Sequence, residues 1–285
     1  MLLAATYDQG FNSISMHRKR WITALIALPV LFVLILKGGP QVFTFAVVAV
    51  SSISLWEYLR IVFGQHTPAV SWTLPAWAQV CGTLIIIAAS YHDTMSILAL
   101  LVINLIGTAF FSIQRFRSTQ DAPLVAVKSV FGVVYIPLFL SFLIMLYTSA
   151  NGVLWVFFLL VVIAAGDTGA YYVGTFWGRR KLCPAVSPKK TVEGAVGGLA
   201  ANLALAWLFK LIFLKAMVGL TCTVFAVVVG VVGQAGDLFE SEFKRAAGVK
   251  DSGNLLPGHG GFLDRLDALL FAAPVAYLLK EFLLP

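Results

Sequence analysis

Residues 153–176 read VLWVFFLLVVIAAGDTGAYYVGTF, an apolar run interrupted by charge only at Asp167. A helix needs about 20 mostly apolar residues to cross the hydrocarbon core of a bilayer, and this run is long enough. It shows no alternation of apolar and polar positions, so it does not read as a strand of a membrane barrel. Working outward, eight further runs of the same kind occupy residues 21–37, 41–63, 74–90, 94–113, 124–148, 195–214, 216–236 and 266–284. Backbone buried in lipid must satisfy its hydrogen bonds within the segment. The expected fold is therefore all-α: a polytopic integral membrane protein of about nine transmembrane helices.

Composition leads to the same class. Of 285 residues, 60% are hydrophobic and only 12% are charged, and the mean hydropathy is +0.91. No water-soluble fold hides that much apolar surface. Arg18, Lys19 and Arg20 precede the first run as they would in a secretory signal, but no small-residue cleavage site is evident after Leu36. The run reads as an uncleaved first span. Cys81, Cys183 and Cys222 are odd in number and far apart, which implies neither a disulfide framework nor a zinc site.

If the N-terminus is cytoplasmic, all but four of the 20 basic residues fall in or beside cytoplasmic segments, the exceptions being Lys37, Lys210, Lys215 and Lys280. That bias is what the positive-inside tendency predicts, and it places the C-terminus outside. The formal charge of +7 then belongs to one face, where anionic headgroups and nucleotides are met. The basic residues lie in short connections between spans, so a nucleic-acid partner is not expected.

The chain divides by content near residue 150. Residues 1–150 hold about five spans joined by short links, with few polar residues. Residues 151–285 hold about four spans and two long polar connections, 178–194 and 237–265, facing the cytoplasm. Chemistry is expected in those connections. Ala165-Gly166-Asp167 and Ala235-Gly236-Asp237 form a weak internal echo, each closing an apolar run.

Carboxylates near the membrane are costly and call for compensation. A single Asp at a helix end commonly pairs with a surface Lys or Arg. Asp237, Glu240, Glu242, Asp251, Asp264 and Asp267, however, are interleaved with Lys244, Arg245, Lys250 and Arg265, a mixture suited to a metal ion and a polyphosphate. Mg²⁺ needs only two or three such carboxylates, because it keeps waters and shares substrate phosphates. The Pro257-Gly258-His259-Gly260-Gly261 loop lets backbone amides approach an anion; His259 either hydrogen-bonds that loop or transfers a proton. Ser187-Pro188-Lys189-Lys190-Thr191-Val192-Glu193-Gly194 reads either as a positive-inside anchor with a helix cap or as a holder of triphosphate charge.

Residues 241–267, SEFKRAAGVKDSGNLLPGHGGFLDRLD, resemble the signature of the phosphatidate cytidylyltransferases, or CDP-diacylglycerol synthases. Asp167-Thr168-Gly169-Ala170-Tyr171, the 187–194 segment and Trp56-Glu57-Tyr58 also look like features of that family. The resemblance implies attack of the phosphatidate phosphate on the α-phosphorus of CTP, giving CDP-diacylglycerol and pyrophosphate with Mg²⁺. It makes Asp237 and Asp264 the metal-binding aspartates, with a second cation allowed at the same place. Lys189, Lys190, Lys244, Arg245 and Lys250 would then meet phosphates, and Arg265 would meet phosphate or hold Asp264. Ser187, Ser241 and Asp167 join the expected substrate-binding set, while Lys250 and His259 stand beside the two aspartates as catalytic candidates.

The expected partners are CTP, phosphatidate and bilayer lipids, with a homodimer left open, and the expected location is a bacterial inner membrane with the site facing the cytoplasm. Two other readings are a CTP-dependent kinase of a polyprenol or similar lipid alcohol, and a transporter with an ion path through Asp167, Asp237 and Glu57. Glu57 reads equally as a headgroup neighbour and as a helix-pairing residue.

Overall fold

The computed structural model describes residues 25, 28–64, 72–117, 119–253, 255 and 260–283. Among these residues the helices are α1 (Leu28–Lys37), α2 (Gly39–Phe63), α3 (Thr73–Ser90), α4 (Thr94–Phe116), α5 (Ala122–Thr148), α6 (Gly152–Trp177), α7 (Val192–Phe213), α8 (Gly219–Ala246) and α9 (Leu263–Leu283). Seven of them, α2 to α8, are long and apolar enough to cross a membrane. The chain is thus an α-helical, multi-pass membrane protein. The described part of α1 is short, and α9 carries Asp264, Arg265, Asp267, Lys280 and Glu281, which removes both from that count.

Large apolar side chains such as Phe45, Phe110, Ile113 and Leu220 point outward, and α4 keeps only 17% of its most apolar window inside the protein. Such faces would be untenable in water and are natural against lipid chains. Within α5, residues Val134–Leu138 widen into a π segment around Pro137. Proline has no N–H to continue the ladder, and a one-turn π bulge absorbs the defect. The Pro137 ring packs where Gly82 of α3 carries no side chain.

The all-α expectation holds, with one addition: β1 (Lys181–Cys183) and β2 (Ser187–Thr191) pair antiparallel as a small hairpin between α6 and α7. The polar connection expected over 237–265 is shorter, because α8 continues to Ala246. Polar residues such as Asp237, Glu240 and Lys244 extend a helix readily once it has left the hydrocarbon, since Glu and Lys are good helix formers. Asp237, Glu240 and Lys244 therefore lie at three- and four-residue spacing on one helical face.

The halves of the chain share one buried core. Tyr58 of α2 meets Phe243 of α8 edge to face at 5.6 Å, Tyr135 of α5 meets Phe239 at 5.6 Å, and Phe239 meets Phe271 of α9 at 5.3 Å. Offset and edge-on aromatic pairs of this kind each add about 0.5–1.5 kcal/mol beyond area burial. In the C-terminal half α6 and α7 come unusually close, because Gly169 faces Ala201 and the Gly197 carbonyl, and Gly197 faces Val173. Small residues are what let helices in lipid approach backbone to backbone.

Candidate active site

The carboxyl ends of α6 and α8, the hairpin, and the amino ends of α7 and α9 gather at one end of the bundle. Between α6, the hairpin, α7 and α8 lies a cavity of about 460 Å³, lined by Asp167, Tyr171, Lys189, Lys190, Gln234 and Asp237 among others. This is within the usual size range of ligand pockets. Thr191 ends β2 in extended conformation, and its hydroxyl accepts from the Gly194 amide at 3.1 Å, capping α7. The Glu193 carboxylate accepts the Arg179 and Arg180 amides at 3.0 and 3.1 Å. These caps fix the hairpin against α7 and aim its lysines at the cavity.

Lys190 pairs with Asp237 across the cavity at 2.5 Å, both side chains being about 30% exposed. The Asp167, Asp237 and Asp267 carboxylates lie within electrostatic reach of one another. The Gln234 amide, one turn before Asp237, donates to the Ala195 carbonyl at 3.1 Å and ties α8 to α7. Two residues of the internal echo, Asp167 and Asp237, thus face the same space.

A second polar cluster adjoins the first along α8. Lys244 reaches Glu240 at 2.5 Å and Asp264 at 2.8 Å, with its side chain only 12% exposed. Asp264 also accepts the Gly261 amide at 2.8 Å and the Ser252 amide at 2.9 Å. Glu57 of α2 completes the cluster from the other half of the chain. It is 5% exposed and accepts the Ser252 hydroxyl at 3.0 Å and the Phe262 and Leu263 amides at 3.1 and 2.9 Å.

The structure therefore brings Asp167, Lys189, Lys190 and Asp237 together, and sets Asp264 and Lys244 in the adjoining cluster. Lys244 is engaged by two carboxylates and does not point a free charge at the cavity. Arg245 donates from Nε to the Val186 carbonyl at 3.2 Å, tying the hairpin to the end of α8. Ser187 opens β2 opposite Cys183. Ser241 is half-buried on α8, while Lys250 and Arg265 are exposed. His259 lies outside the described residues.

Gln234 and Ser252 were not singled out from sequence. A polar residue inside an apolar run was the available signal for Gln234; Ser252 gave none, because its role depends on a partner 195 positions away.

Among the described residues no three Asp, Glu, His or Cys side chains converge as a ready-made metal cage. Mg²⁺ in nucleotide-handling sites usually rests on one or two carboxylates and completes its shell with waters and substrate phosphates. Asp237, with Asp167 and Asp267 near it, supplies that partial set of hard oxygen donors. The oxygens of Asp264 already accept from Lys244 and two backbone amides.

Residues 18–283 match the model of the cytidylyltransferase family. Phosphatidate cytidylyltransferase of Staphylococcus saprophyticus is 34% identical over 266 residues, covering 91% of this chain and 97% of the relative. The enzymes of the same name from Bacillus subtilis and Staphylococcus aureus are 32% and 33% identical, with coverage of 92% and 91% of this chain and 97% of each relative.

Proposed function

The chain belongs to the cytidylyltransferase family, and from that membership and the cavity we propose that it transfers a cytidylyl group from CTP to phosphatidate. The products are CDP-diacylglycerol and pyrophosphate. The observation that supports this reading is the pairing of Lys190 with Asp237 inside a cavity that also holds Lys189 and Asp167, at the end of a lipid-embedded bundle.

A phosphatidate oxygen attacks the α-phosphorus of CTP, a new P–O bond forms, and the bond to the β-phosphate's bridging oxygen breaks. Both partners are anionic, so their repulsion and the transition-state charge have to be offset. Lys189 and Lys190 supply positive charge from the hairpin, and CTP phosphates would displace Lys190 from its pair with Asp237. A divalent cation held by Asp237, with Asp167 and Asp267 near it, would neutralise phosphate charge, and Asp264 would join it on releasing Lys244. Lys244 holds Asp264 and Glu240 in place. Arg245 keeps the hairpin over the site.

We infer nine crossings, a cytoplasmic N-terminus and a cytoplasmic site, probed by the distribution of basic residues and by the direct contact of the two polar connections through Arg245 and Val186. An acceptor headgroup would stay at the membrane surface there while its acyl chains remain in the bilayer and CTP arrives from water.

Purified protein in detergent, given labelled CTP, phosphatidate and Mg²⁺, is expected to yield a labelled lipid and pyrophosphate. Release of CDP with a phosphorylated lipid alcohol would instead favour a CTP-dependent kinase.

A further inference from the structure

We propose that Glu57 is a positioning residue for the reaction: from α2 it holds Ser252 and the start of α9, the helix that carries Asp264. The amides of Gly261 and Phe262 lie just before α9 and that of Leu263 is its first, at the end of the helix where the opening N–H groups have no intrahelical partner. Asp264 takes the first of them, and Glu57 takes the other two. Ser252 joins the two carboxylates, its hydroxyl donating to Glu57 and its amide to Asp264. Ser252 and Gly261 to Leu263 are thus clamped between an acid from α2 and Asp264 of α9.

The fit leaves no slack. Side-chain atoms added at Gly253 or Gly261 would run into the Glu57 carboxylate, so the loop backbone lies directly on it. A buried carboxylate that accepts two amides at a helix start is stabilised by the N–H groups and by the positive end of the helix dipole. A neutral amide in its place forfeits that charge and one acceptor oxygen. Glu57 is not among the residues that line the cavity, so its effect on chemistry passes through the start of α9 and Asp264.

The test uses the full-length protein in detergent with two readouts. Hydrogen exchange by mass spectrometry needs no substrate: Glu57→Gln is expected to speed exchange at least tenfold in peptides reporting on Ser252 and on Gly261 to Leu263, and to leave the α6–α7 peptides unchanged. The kinetic arm rests on the cytidylyl-transfer reading: kcat is expected to fall at least tenfold while the KM for CTP changes less than threefold, because the cavity lysines are untouched. Gly261→Ala approaches the clamp from the loop side and is expected to give the same pattern, covering the case in which the α2 variant is poorly folded. Unchanged exchange at Ser252 and Gly261 to Leu263, exchange that rises evenly over the whole chain, or a kcat within twofold of the parent protein overturns the proposal. Exchange that rises locally in a protein with no cytidylyl transfer at all would uphold the clamp and sink the proposed reaction instead.

Discussion

Lys190 and Lys244 meet carboxylates in different surroundings, and the difference sets what their loss does. Lys244 sits between Glu240 and Asp264, all three largely buried. Lys244→Met leaves two buried acids facing each other without a counter-charge, a change that typically costs about 3–5 kcal/mol. Lys190 and Asp237 are each about 30% exposed, and water already screens such pairs to about 1 kcal/mol or less. Lys190→Met is therefore expected to leave the unfolding temperature nearly unchanged and to raise the KM for CTP at least tenfold, whereas Lys244→Met should lower the unfolding temperature markedly; thermal unfolding beside steady-state kinetics distinguishes them. Asp264→Asn is expected to cut turnover at least a hundredfold. Its cost to stability, about 1–3 kcal/mol for an acceptor lost to buried donors, should leave a folded protein in the same unfolding assay.

At the scale of elements, the cavity is framed by α6 and α7, which touch through glycine and alanine, by the hairpin between them and by α8. Gly169 has Ala201 and the Gly197 carbonyl directly against it. Gly169→Val would push the two helices apart, and overpacking of that sort costs about 1–3 kcal/mol. The expected result is a lower unfolding temperature together with weaker CTP binding, since Lys189 and Lys190 ride on the strand that leads into α7. Equal CTP affinity in that variant would separate the helix crossing from the shape of the cavity. The 153–176 and 124–148 runs were legible because long apolar stretches in lipid have only one way to satisfy their backbone. The hairpin was not, because Lys181–Cys183 and Ser187–Thr191 are short, polar and lysine-rich, and their pairing depends on α6 and α7 holding both ends.

For the whole molecule, both polar connections lie at one end of the bundle, joined by the Arg245 to Val186 bond. In a variant with Cys183 replaced, single cysteines placed at Lys181 and at Lys250 are expected to react with a membrane-impermeant maleimide from the same side of sealed vesicles, and one at Lys215 from the other. Reaction of the first two from opposite sides would contradict the packing of α8 against the hairpin. The aromatic layer of Tyr58, Tyr135, Phe239, Phe243 and Phe271 binds the polar-poor first half to the half that bears the site, and so α2 is not mere scaffolding.

Sequence alone determined that the chain is an all-helical membrane protein and pointed to the acidic and basic residues near 187–194 and 237–267 as candidates for the site, because length and polarity are local properties that a bilayer converts directly into structure. Only the tertiary structure decided which charges meet: Lys190 with Asp237, Lys244 with Glu240 and Asp264, and Glu57 with a loop some 200 residues away. Those partnerships depend on distances between helices, which no single segment encodes.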